Sequence, residues 1–430
     1  MIKVITYGTF DLLHRGHIRL LERAKALGDY LIVGITADTF DRERGKINVQ
    51  QSLMERIEGV KATGLADEII VEEYEGQKID DIKRLDVDIF TVGSDWKGHF
   101  DYLNEYCKVV YLDRTQGISS TDIRSSKQEF TMGLLGTSPI LNKVERESHY
   151  VNGLKVTGIF DEAHYDDLLS QSQAVYIITA PSCHYQHIRR ALEAGKHVLV
   201  ESPVVTDTAQ WEELQRLAND RHLVLADGIK TAYSTAFERI LLLVKTGVIG
   251  SVVSVDATCT SLQNNEAETD SDAENVWNSI CAWGPTTLLP IFQILGTKYT
   301  SKTIATHLRR NTSYDEFTKV SFIFPNAVAS MKVGQGVKSE GELIISGANG
   351  YIYVPAPWWK TDYFEIRYEN PSENRRFFYP LEGEGLRYEL LTFLRAMQGK
   401  GHNAPFSTDV SRAIVSVVQD FYQHRDVVTI

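Results

Sequence analysis

The sequence lacks several features that would narrow its class at once. Its four cysteines form no C-x-x-C pair and no spacing typical of a secreted disulfide framework, so reduced thiols are expected. No apolar run reaches the roughly 18 residues that a membrane span needs. The first residues enter a strand pattern directly, without the basic and apolar segments of a signal peptide.

Positive charge is also scarce. The 430 residues contain 45 Lys and Arg against 57 Asp and Glu, a formal net charge of −12. This excess of negative charge repels a phosphate polymer or an anionic membrane surface, so neither binding to nucleic acid nor membrane insertion is expected. An anionic small substrate must then be held by a local cluster of donors.

The length fits several domains. At roughly 150 residues per domain the chain suggests about three, and its 43% hydrophobic residues supply more than one core. Strand and helix patterns alternate over 1–127 and again over 130–228, which predicts two parallel sheets with crossover helices. Over 229–430 longer strands of alternating polarity predict an open, largely antiparallel sheet.

A glycine turn with two histidines follows the first strand. Residues Gly8-Thr9-Phe10-Asp11-Leu12-Leu13-His14-Arg15-Gly16-His17 place two imidazoles at a helix start. Backbone N–H groups, the helix dipole and both imidazoles would converge on one anion, and Gly16 lets the backbone approach phosphates closely. Phosphoryl transfer depends on such positioning and charge stabilisation. Without this context, a histidine pair would more often be two surface imidazoles or a chance metal pair.

Three motifs in order resemble one family. Gly8 to Lys25 resembles the H-x-G-H nucleotidyltransferases and, among them, the glycerol-3-phosphate cytidylyltransferases. Val92-Gly93-Ser94-Asp95-Trp96 is similar to the family's nucleotide-base segment, and Arg114 to Thr121 is similar to its R-T-x-G-I-S-S/T-T signature. The serine run alone would also fit an N-capped surface helix. The resemblance spans residues 1 to 127.

The resemblance implies transfer of CMP from CTP to glycerol 3-phosphate or a similar polyol phosphate, giving CDP-glycerol and pyrophosphate. His14 and His17 would stabilise charge as hydrogen-bond donors, and Mg²⁺ would bridge the triphosphate, with Asp11 positioning the site through the metal or the first turn. Lys46 would contact phosphates, and the Arg114 guanidinium would donate two parallel hydrogen bonds to phosphate oxygens. The implied nucleotide-binding residues are Gly8, Thr9, Phe10, Asp11, Gly16, Gly93, Asp95, Trp96, Thr115, Gly117, Ile118, Ser119, Ser120 and Thr121.

Two positions depart from the relatives. Gly64 stands where they carry an arginine, so that role is lost or passes to Lys61, and Arg15 replaces an aromatic residue. The acceptor therefore stays open, with ribitol phosphate, glycerol 2-phosphate and phosphocholine as alternatives. Because CDP-polyols feed anionic envelope polymers such as teichoic acid, the resemblance implies a bacterial cytoplasmic setting.

The second strand-helix series opens with a weak dinucleotide fingerprint. Gly136 fits the first glycine of G-x-G-x-x-G, but Ser138 and Leu141 stand at the second and third. Asp161 ends the next strand, near the spacing expected for a ribose-binding acid, although a surface aspartate would look the same.

Later motifs resemble the glucose-fructose oxidoreductase and inositol dehydrogenase family. They are Ile178 to Tyr185, Ala191 to Pro203 and Gly247 to Gly250, and the resemblance extends from Phe130 to the carboxyl terminus. It implies NAD or NADP as cofactor and a homo-oligomer. The implied cofactor-binding residues are Gly136, Thr137, Ser138, Asp161, Ala180, Pro181, His184 and Glu201.

Familiar catalytic positions of that family are changed here. Ser202 replaces the lysine of E-K-P, Ala282 and Thr286 stand where D-x-x-x-H is expected, and Leu289 replaces a further aspartate.

A lysine and a tyrosine offer an alternative acid-base pair. Lys230 and Tyr233 follow the predicted strand Leu223–Ala226, and desolvation would lower the pKa of Lys230 towards a useful range. A solvated lysine would look the same. The domain is therefore either a reductase that makes the polyol phosphate from a phosphorylated aldehyde or ketone, or a catalytically dead binding or assembly domain. The aromatic group Trp358, Trp359 and Tyr363 fits packing better than sugar stacking.

The combined expectation is an α/β protein. It comprises an N-terminal Rossmann-like nucleotidyltransferase domain (1–127), a second Rossmann domain (130–228) and a C-terminal α+β open-sheet domain (229–430).

Overall fold

The computed structural model describes residues 1–37, 40–41, 49–51, 53–74, 76–113, 129–262, 277–361, 363–379, 381–399 and 405–430. They form two compact units, Met1–Glu129 and Phe130–Ile430.

The first unit is built on a five-stranded parallel sheet of order β3-β2-β1-β4-β5. Its elements are β1 (Lys3–Gly8), α1 (Arg15–Lys25), β2 (Tyr30–Thr36), α2 (Leu53–Ala62), β3 (Glu68–Glu72), α3 (Gln77–Leu85), β4 (Ile89–Gly93) and β5 (Lys108–Leu112). Alternate strand residues face opposite layers: Val4 and Leu31 pack in one core, while Ile5 and Ile32 pack in the other. Because both faces are covered, the strands read as continuous apolar runs.

The second unit begins with another five-stranded parallel sheet, of order β10-β9-β8-β6-β7. Its elements are β6 (Phe130–Gly136), α4 (Ile140–Ser148), β7 (Leu154–Phe160), α5 (Tyr165–Gln171), β8 (Ala174–Ile178), α6 (Pro181–Glu193), β9 (His197–Glu201), α7 (Thr208–Asp220) and β10 (Leu225–Gly228). Helix α7 starts where the Asp207 carboxylate accepts the N–H groups of Ala209 and Gln210.

A nine-stranded mixed sheet follows, of order β18-β17-β16-β15-β11-β14-β13-β12-β19. Its pairs are antiparallel except β11 with β14 and β12 with β19. The elements are α8 (Thr235–Lys245), β11 (Val252–Thr260), α9 (Ser279–Leu295), β12 (Ser301–Leu308), β13 (Asp315–Ile323), β14 (Val328–Gly334), β15 (Leu343–Gly347), β16 (Tyr351–Val354), β17 (Tyr363–Arg367), β18 (Arg375–Phe378), α10 (Leu386–Met397), α11 (Thr408–Tyr422) and β19 (Val427–Thr429).

Helix α11 fixes the last part of the chain to the second parallel sheet. The Trp211 indole N–H on α7 donates to the Ser411 hydroxyl at 3.2 Å, and that hydroxyl donates to Asp227 on β10 at 2.6 Å. The carboxyl-terminal helices therefore pack beside the edge strand of the dinucleotide-type sheet.

The predicted fold class is confirmed: two parallel α/β sheets are followed by an open mixed sheet. Within the described residues no helix combines the length and the apolarity that crossing a bilayer requires.

Candidate functional site

The turn after β1 brings the two histidines of the first unit together. His14 is the N-cap of α1, and its Nδ1 accepts the Gly16 N–H at 3.0 Å. A neutral imidazole that accepts at Nδ1 carries its proton on Nε2, so this ring can donate to an anion. The His17 ring stacks on it with centroids 3.9 Å apart and an interplanar angle of 23°.

The approach to these histidines is tightly bent. Phe10 (φ 53°) and Leu12 (φ 50°) both take the left-handed conformation. A Cβ on Gly8 would lie 3.0 Å from the Phe10 ring, and that ring is in edge contact with His17, with centroids 5.5 Å apart. Gly8 and Phe10 therefore shape the turn that seats the histidine pair.

Asp11 holds a neighbouring segment. Its side chain is buried, and Oδ1 accepts the backbone N–H groups of Gln50 and Gln51, each at 3.0 Å. The Gln51 side chain in turn accepts the Leu12 N–H at 2.7 Å. These contacts fit the predicted role of Asp11 in positioning the first turn.

Arg56 and Asp41 form a buried ion pair that sequence reasoning missed. Arg56 Nη1 lies 3.5 Å from Asp41 Oδ2 and donates to the Thr9 and Thr36 carbonyls, each at 2.8 Å. The Thr9 hydroxyl donates to Asp41 Oδ1 at 2.8 Å. One guanidinium therefore ties the turn after β1 to the end of β2.

The end of β4 adds the predicted base-binding segment. Strand β4 pairs in parallel with β1, so Gly93 and the turn after Gly8 lie at the same edge of the sheet. Asp95 and Trp96 occupy the 3-10 turn Ser94–Trp96 beyond it, and both side chains are exposed. The remaining predicted residues, Lys46, Arg114, Thr115, Gly117, Ile118, Ser119, Ser120 and Thr121, lie outside the described residues.

The structure also locates Gly64, where relatives carry an arginine, and Lys61, its predicted replacement. Gly64 lies in the turn after α2 with φ 67°, and Lys61 is exposed with its Nζ 3.7 Å from Glu58. The cation that reaches the turn from α2 is Arg56.

The second unit presents the predicted dinucleotide turn at the end of β6. Gly136 has φ 135°, and a Cβ there would collide with the Ile178 carbonyl oxygen of β8. Thr137 is exposed, and Ser138 is partly exposed where the second fingerprint glycine would stand. The turn therefore keeps its first glycine.

Asp161 and the start of α6 flank this turn. Asp161 is exposed at the end of β7, and its Oδ1 lies 2.7 Å from His164 Nδ1. The hydrogen bond with His164 lowers the pKa of Asp161, and the pKa of His164 rises in return. Ala180 is the N-cap of α6 and Pro181 its first residue.

His184 is buried rather than open to a cleft. Its Nδ1 lies 2.9 Å from the Pro203 carbonyl and its Nε2 lies 3.0 Å from the Thr179 carbonyl, and burial lowers its pKa to about 4. The ring therefore orders the backbone at Thr179 and Pro203 instead of lining a cleft.

Glu201 belongs to a buried carboxyl cluster that sequence reasoning did not find. Tyr176 Oη lies 3.4 Å from Glu201 Oε2 and 3.2 Å from Glu389 Oε2. Burial raises the pKa of Glu201 to about 7, and burial together with the Glu201 charge raises the pKa of Glu389. Burial also raises the pKa of Asp227, to about 6.

The alternative acid-base residues lie near this cluster. Lys230 Nζ lies 3.3 Å from Glu384 Oε2, and the buried Tyr233 hydroxyl donates to the Asp227 carbonyl at 3.2 Å. Burial raises the pKa of Tyr233 well above its ordinary value, which makes it a poor proton carrier at neutral pH.

Three of the substituted family positions share one helix. Ala282, Thr286 and Leu289 all belong to α9. Trp358 and Trp359 are buried, and the Trp359 ring lies 5.0 Å from that of Trp283. The packing interpretation of these tryptophans is the one that the structure supports.

Comparison with known proteins defines the class of each unit. Residues 5–126 match the cytidylyltransferase-like family, and residues 131–228 match the oxidoreductase family with an NAD-binding Rossmann fold. The chain belongs to the cytidylyltransferase-like family, its first unit is a nucleotidyltransferase, and an oxidoreductase-type Rossmann domain is fused to it.

Individual relatives narrow the first unit. The chain is 53% identical over 124 residues to the glycerol-3-phosphate cytidylyltransferase of Bacillus spizizenii, which covers 29% of this chain and 95% of that protein. Identity to the Staphylococcus aureus glycerol-3-phosphate cytidylyltransferase is 47% over 128 residues, covering 29% and 93%.

A solved structure matches the second unit. The 3-ketoreductase KijD10 from Actinomadura kijaniata, in complex with NADP and TDP-benzene, has a TM-score of 0.62 and 18% identity, and the match covers 70% of this chain and 99% of that one. At this identity the likeness concerns the fold.

Proposed function

We propose that the first unit transfers CMP from CTP to glycerol 3-phosphate or a similar polyol phosphate. An acceptor phosphate oxygen attacks the α-phosphorus while the bond to pyrophosphate breaks, so CDP-glycerol and pyrophosphate leave. The observation that carries this proposal is the His14 ring, oriented by the Gly16 N–H and stacked on His17. Relatives named for this reaction, about half identical over the whole unit, support the same acceptor.

Each contact of the turn has a part in this reaction. The imidazoles stabilise charge on the pentavalent phosphorus and on the departing pyrophosphate. Asp11 and Arg56 keep the turn in the bent form that aims them. Mg²⁺ accompanies the nucleotide triphosphate, and Asp95 and Trp96 contact the base. The product fits the synthesis of an anionic envelope polymer such as teichoic acid.

Pyrophosphate release tests the proposal. Purified full chain is assayed with CTP or ATP and with glycerol 3-phosphate, glycerol 2-phosphate, ribitol phosphate or phosphocholine. His14→Ala and His17→Ala should each lower turnover by at least about 100-fold if the ring stabilises transition-state charge. His149→Ala, at an exposed histidine of the second unit, is the matched control. Near-normal turnover in both site variants would remove the proposed role.

For the second unit we propose NAD(P)-dependent reduction of a phosphorylated aldehyde or ketone to the polyol phosphate that the first unit consumes. Gly136 leaves room for a close turn, and Asp161, Ala180 and Pro181 stand around it, so these residues fit a dinucleotide. The bound nicotinamide would supply the hydride. The carboxyl cluster and Lys230 are the candidate groups that supply the proton to the carbonyl oxygen.

The competing function is a binding or assembly domain without catalysis. Ser202, Ala282 and Thr286 favour it, since none of them titrates near neutral pH. Fluorescence titration of NADH and NADPH with the full chain, followed by carbonyl-dependent oxidation, decides between the two. Binding without oxidation of any phosphorylated carbonyl would leave only the binding function.

A further inference from the structure

Three lysines from separate parts of the second unit meet at one glutamate. Lys143 on α4 lies 3.0 Å from Glu384 Oε1, while Lys230 and Lys360 lie 3.3 and 3.0 Å from Oε2. Lys230 follows β10 and Lys360 follows β16, so the cluster joins the dinucleotide-type sheet to the mixed sheet. The four side chains are between 22% and 45% exposed, which leaves the cluster open to a solute.

The glutamate stands at the tip of an unusual loop. Gly383, Glu384 and Gly385 all have positive φ, at 61°, 54° and 87°. A Cβ on Gly385 would lie 3.0 Å from the Lys230 carbonyl oxygen, so the loop needs glycine there. Glu384 itself takes a conformation that side chains disfavour. The loop therefore presents one carboxylate to three ammonium groups at some cost in backbone strain.

The charges at this cluster do not balance. Burial alone would raise the pKa of Glu384, but Lys360, Lys143 and Lys230 together lower it to about 2, so the carboxylate is charged at neutral pH. Among the side chains that the structure describes, one negative charge at this cluster thus faces three positive ones. Glu201 and Glu389 also feel the charge of Lys230, but burial raises the pKa of both. Glu147 is already paired with Arg387 at 2.7 Å.

We infer that Lys143, Lys230 and Lys360 form a phosphate-binding site, in which the phosphate group of the second unit's substrate displaces the Glu384 carboxylate. A phosphate dianion offers two charges and three acceptor oxygens to three ammonium donors, a better match than one carboxylate. The identity of the ligand, a phosphorylated aldehyde or ketone, rests on the proposed reductase. Lys230 then binds substrate instead of donating the proton.

The position in the sheet favours a substrate phosphate over the adenosine end of a dinucleotide. Ligands of such folds bind beyond the carboxyl ends of the strands, where Lys230 lies. Asp161, the candidate ribose ligand, follows β7, and β7 and β10 are the opposite edges of this sheet. Four strand spacings of about 4.8 Å separate those edges, roughly 19 Å.

Calorimetric titration of the full chain with inorganic phosphate tests the site itself. Lys360→Ala and Lys230→Ala should each weaken binding about five-fold or more, and Glu384→Gln should strengthen it by a similar factor. Lys319→Ala, at an exposed lysine of β13, is the control. Because every substitution lies in the second unit, differences between variants report this site even if the first unit also binds phosphate.

Two outcomes separate this inference from the proposed reductase. Unchanged phosphate affinity in Glu384→Gln and in both lysine variants, with melting temperatures like that of the wild type, overturns the phosphate site. If Glu384→Gln does not fold, the half-exposed Lys360→Ala decides alone. Altered phosphate affinity, without NADPH oxidation by dihydroxyacetone phosphate or any other phosphorylated aldehyde or ketone, rejects the reductase and keeps the site. Where oxidation occurs, Lys360→Ala should raise KM for the phosphorylated ketone more than it lowers kcat.

Discussion

Removal of the Arg56 guanidinium should release the nucleotide turn of the first unit. Arg56 is 1% exposed and donates to three backbone carbonyls, those of Thr9, Thr36 and Gln51. In Arg56→Ala these acceptors lose the guanidinium, and the buried Asp41 carboxylate loses its ion pair with Arg56. The turn that carries Phe10 would then be held by its remaining contacts.

The structure sets the size of the effect. Breaking a buried ion pair by removing one partner costs about 3 to 5 kcal/mol. Arg56→Lys keeps the charge, but a single ammonium cannot follow the three directions of the guanidinium, so an intermediate loss is expected. Asp41→Asn in the Arg56→Ala background should recover part of the loss, because it removes a buried charge whose ion pair with Arg56 has been broken.

Hydrogen–deuterium exchange of the full chain measures this locally. A loss of about 3 kcal/mol corresponds to roughly a 100-fold faster opening of the peptide that holds Thr9 to Leu13, since about 1.4 kcal/mol is a factor of ten. Peptides of β8 in the second unit serve as the internal control, and turnover with CTP should fall in parallel. Wild-type exchange of the turn peptide in Arg56→Ala, with wild-type turnover, would refute the assigned role.

Two further changes probe the second unit. Gly136→Ala should destabilise this unit by about 1 to 3 kcal/mol and weaken NADPH binding, since φ 135° and the Ile178 carbonyl both exclude a Cβ. Fluorescence titration measures the binding. The control is Gly195→Ala, where a Cβ meets no atom within 4 Å, and it should leave NADPH binding intact. Burial raises the pKa of Glu201 from 4.5 to about 7, so the unfolded chain loses this proton at lower pH than the folded chain does. The free energy of unfolding should therefore fall as pH rises from 4.5 to 7. In calorimetry, Glu201→Gln should remove the contribution of Glu201 to this fall, and an unchanged pH dependence would contradict the buried carboxyl.

Much of the fold could be predicted because its strands are buried on both faces. Tyr30–Thr36 and His197–Glu201 are apolar runs with clear ends, and a strand occupies each of them. Helix α9 was not predicted, since it contains Pro285 and Pro290, which sequence rules treat as breakers. Strand β19 is three residues long and pairs with the distant β12, so no local pattern announces it.

The candidate site could likewise be predicted where its residues are close in sequence and not where they are distant. His14 and His17 are neighbours on one turn, and their spacing alone predicts that they meet. Arg56 reaches Thr9 across 47 positions of sequence. The family resemblance pointed instead to Gly64, where relatives carry an arginine, and to Lys61 as its replacement. The signal in the sequence that could have indicated Arg56 is an arginine on the apolar side of a helix.

The second unit holds two buried carboxyl groups beside one phenol, although Ser202, Ala282 and Thr286 replace residues that the family resemblance would place in catalysis. Tyr176, on the middle strand of its sheet, stands between Glu201 and Glu389. A phenol has one proton and can satisfy only one carboxylate, so two charged carboxylates here would leave one buried charge unpaired. The raised pKa values of both acids show the same conflict, and it is relieved when the pair retains one proton near neutral pH. The carbonyl reduction proposed for the second unit needs such a proton, and Lys230, which we assign to the substrate phosphate, need not supply it.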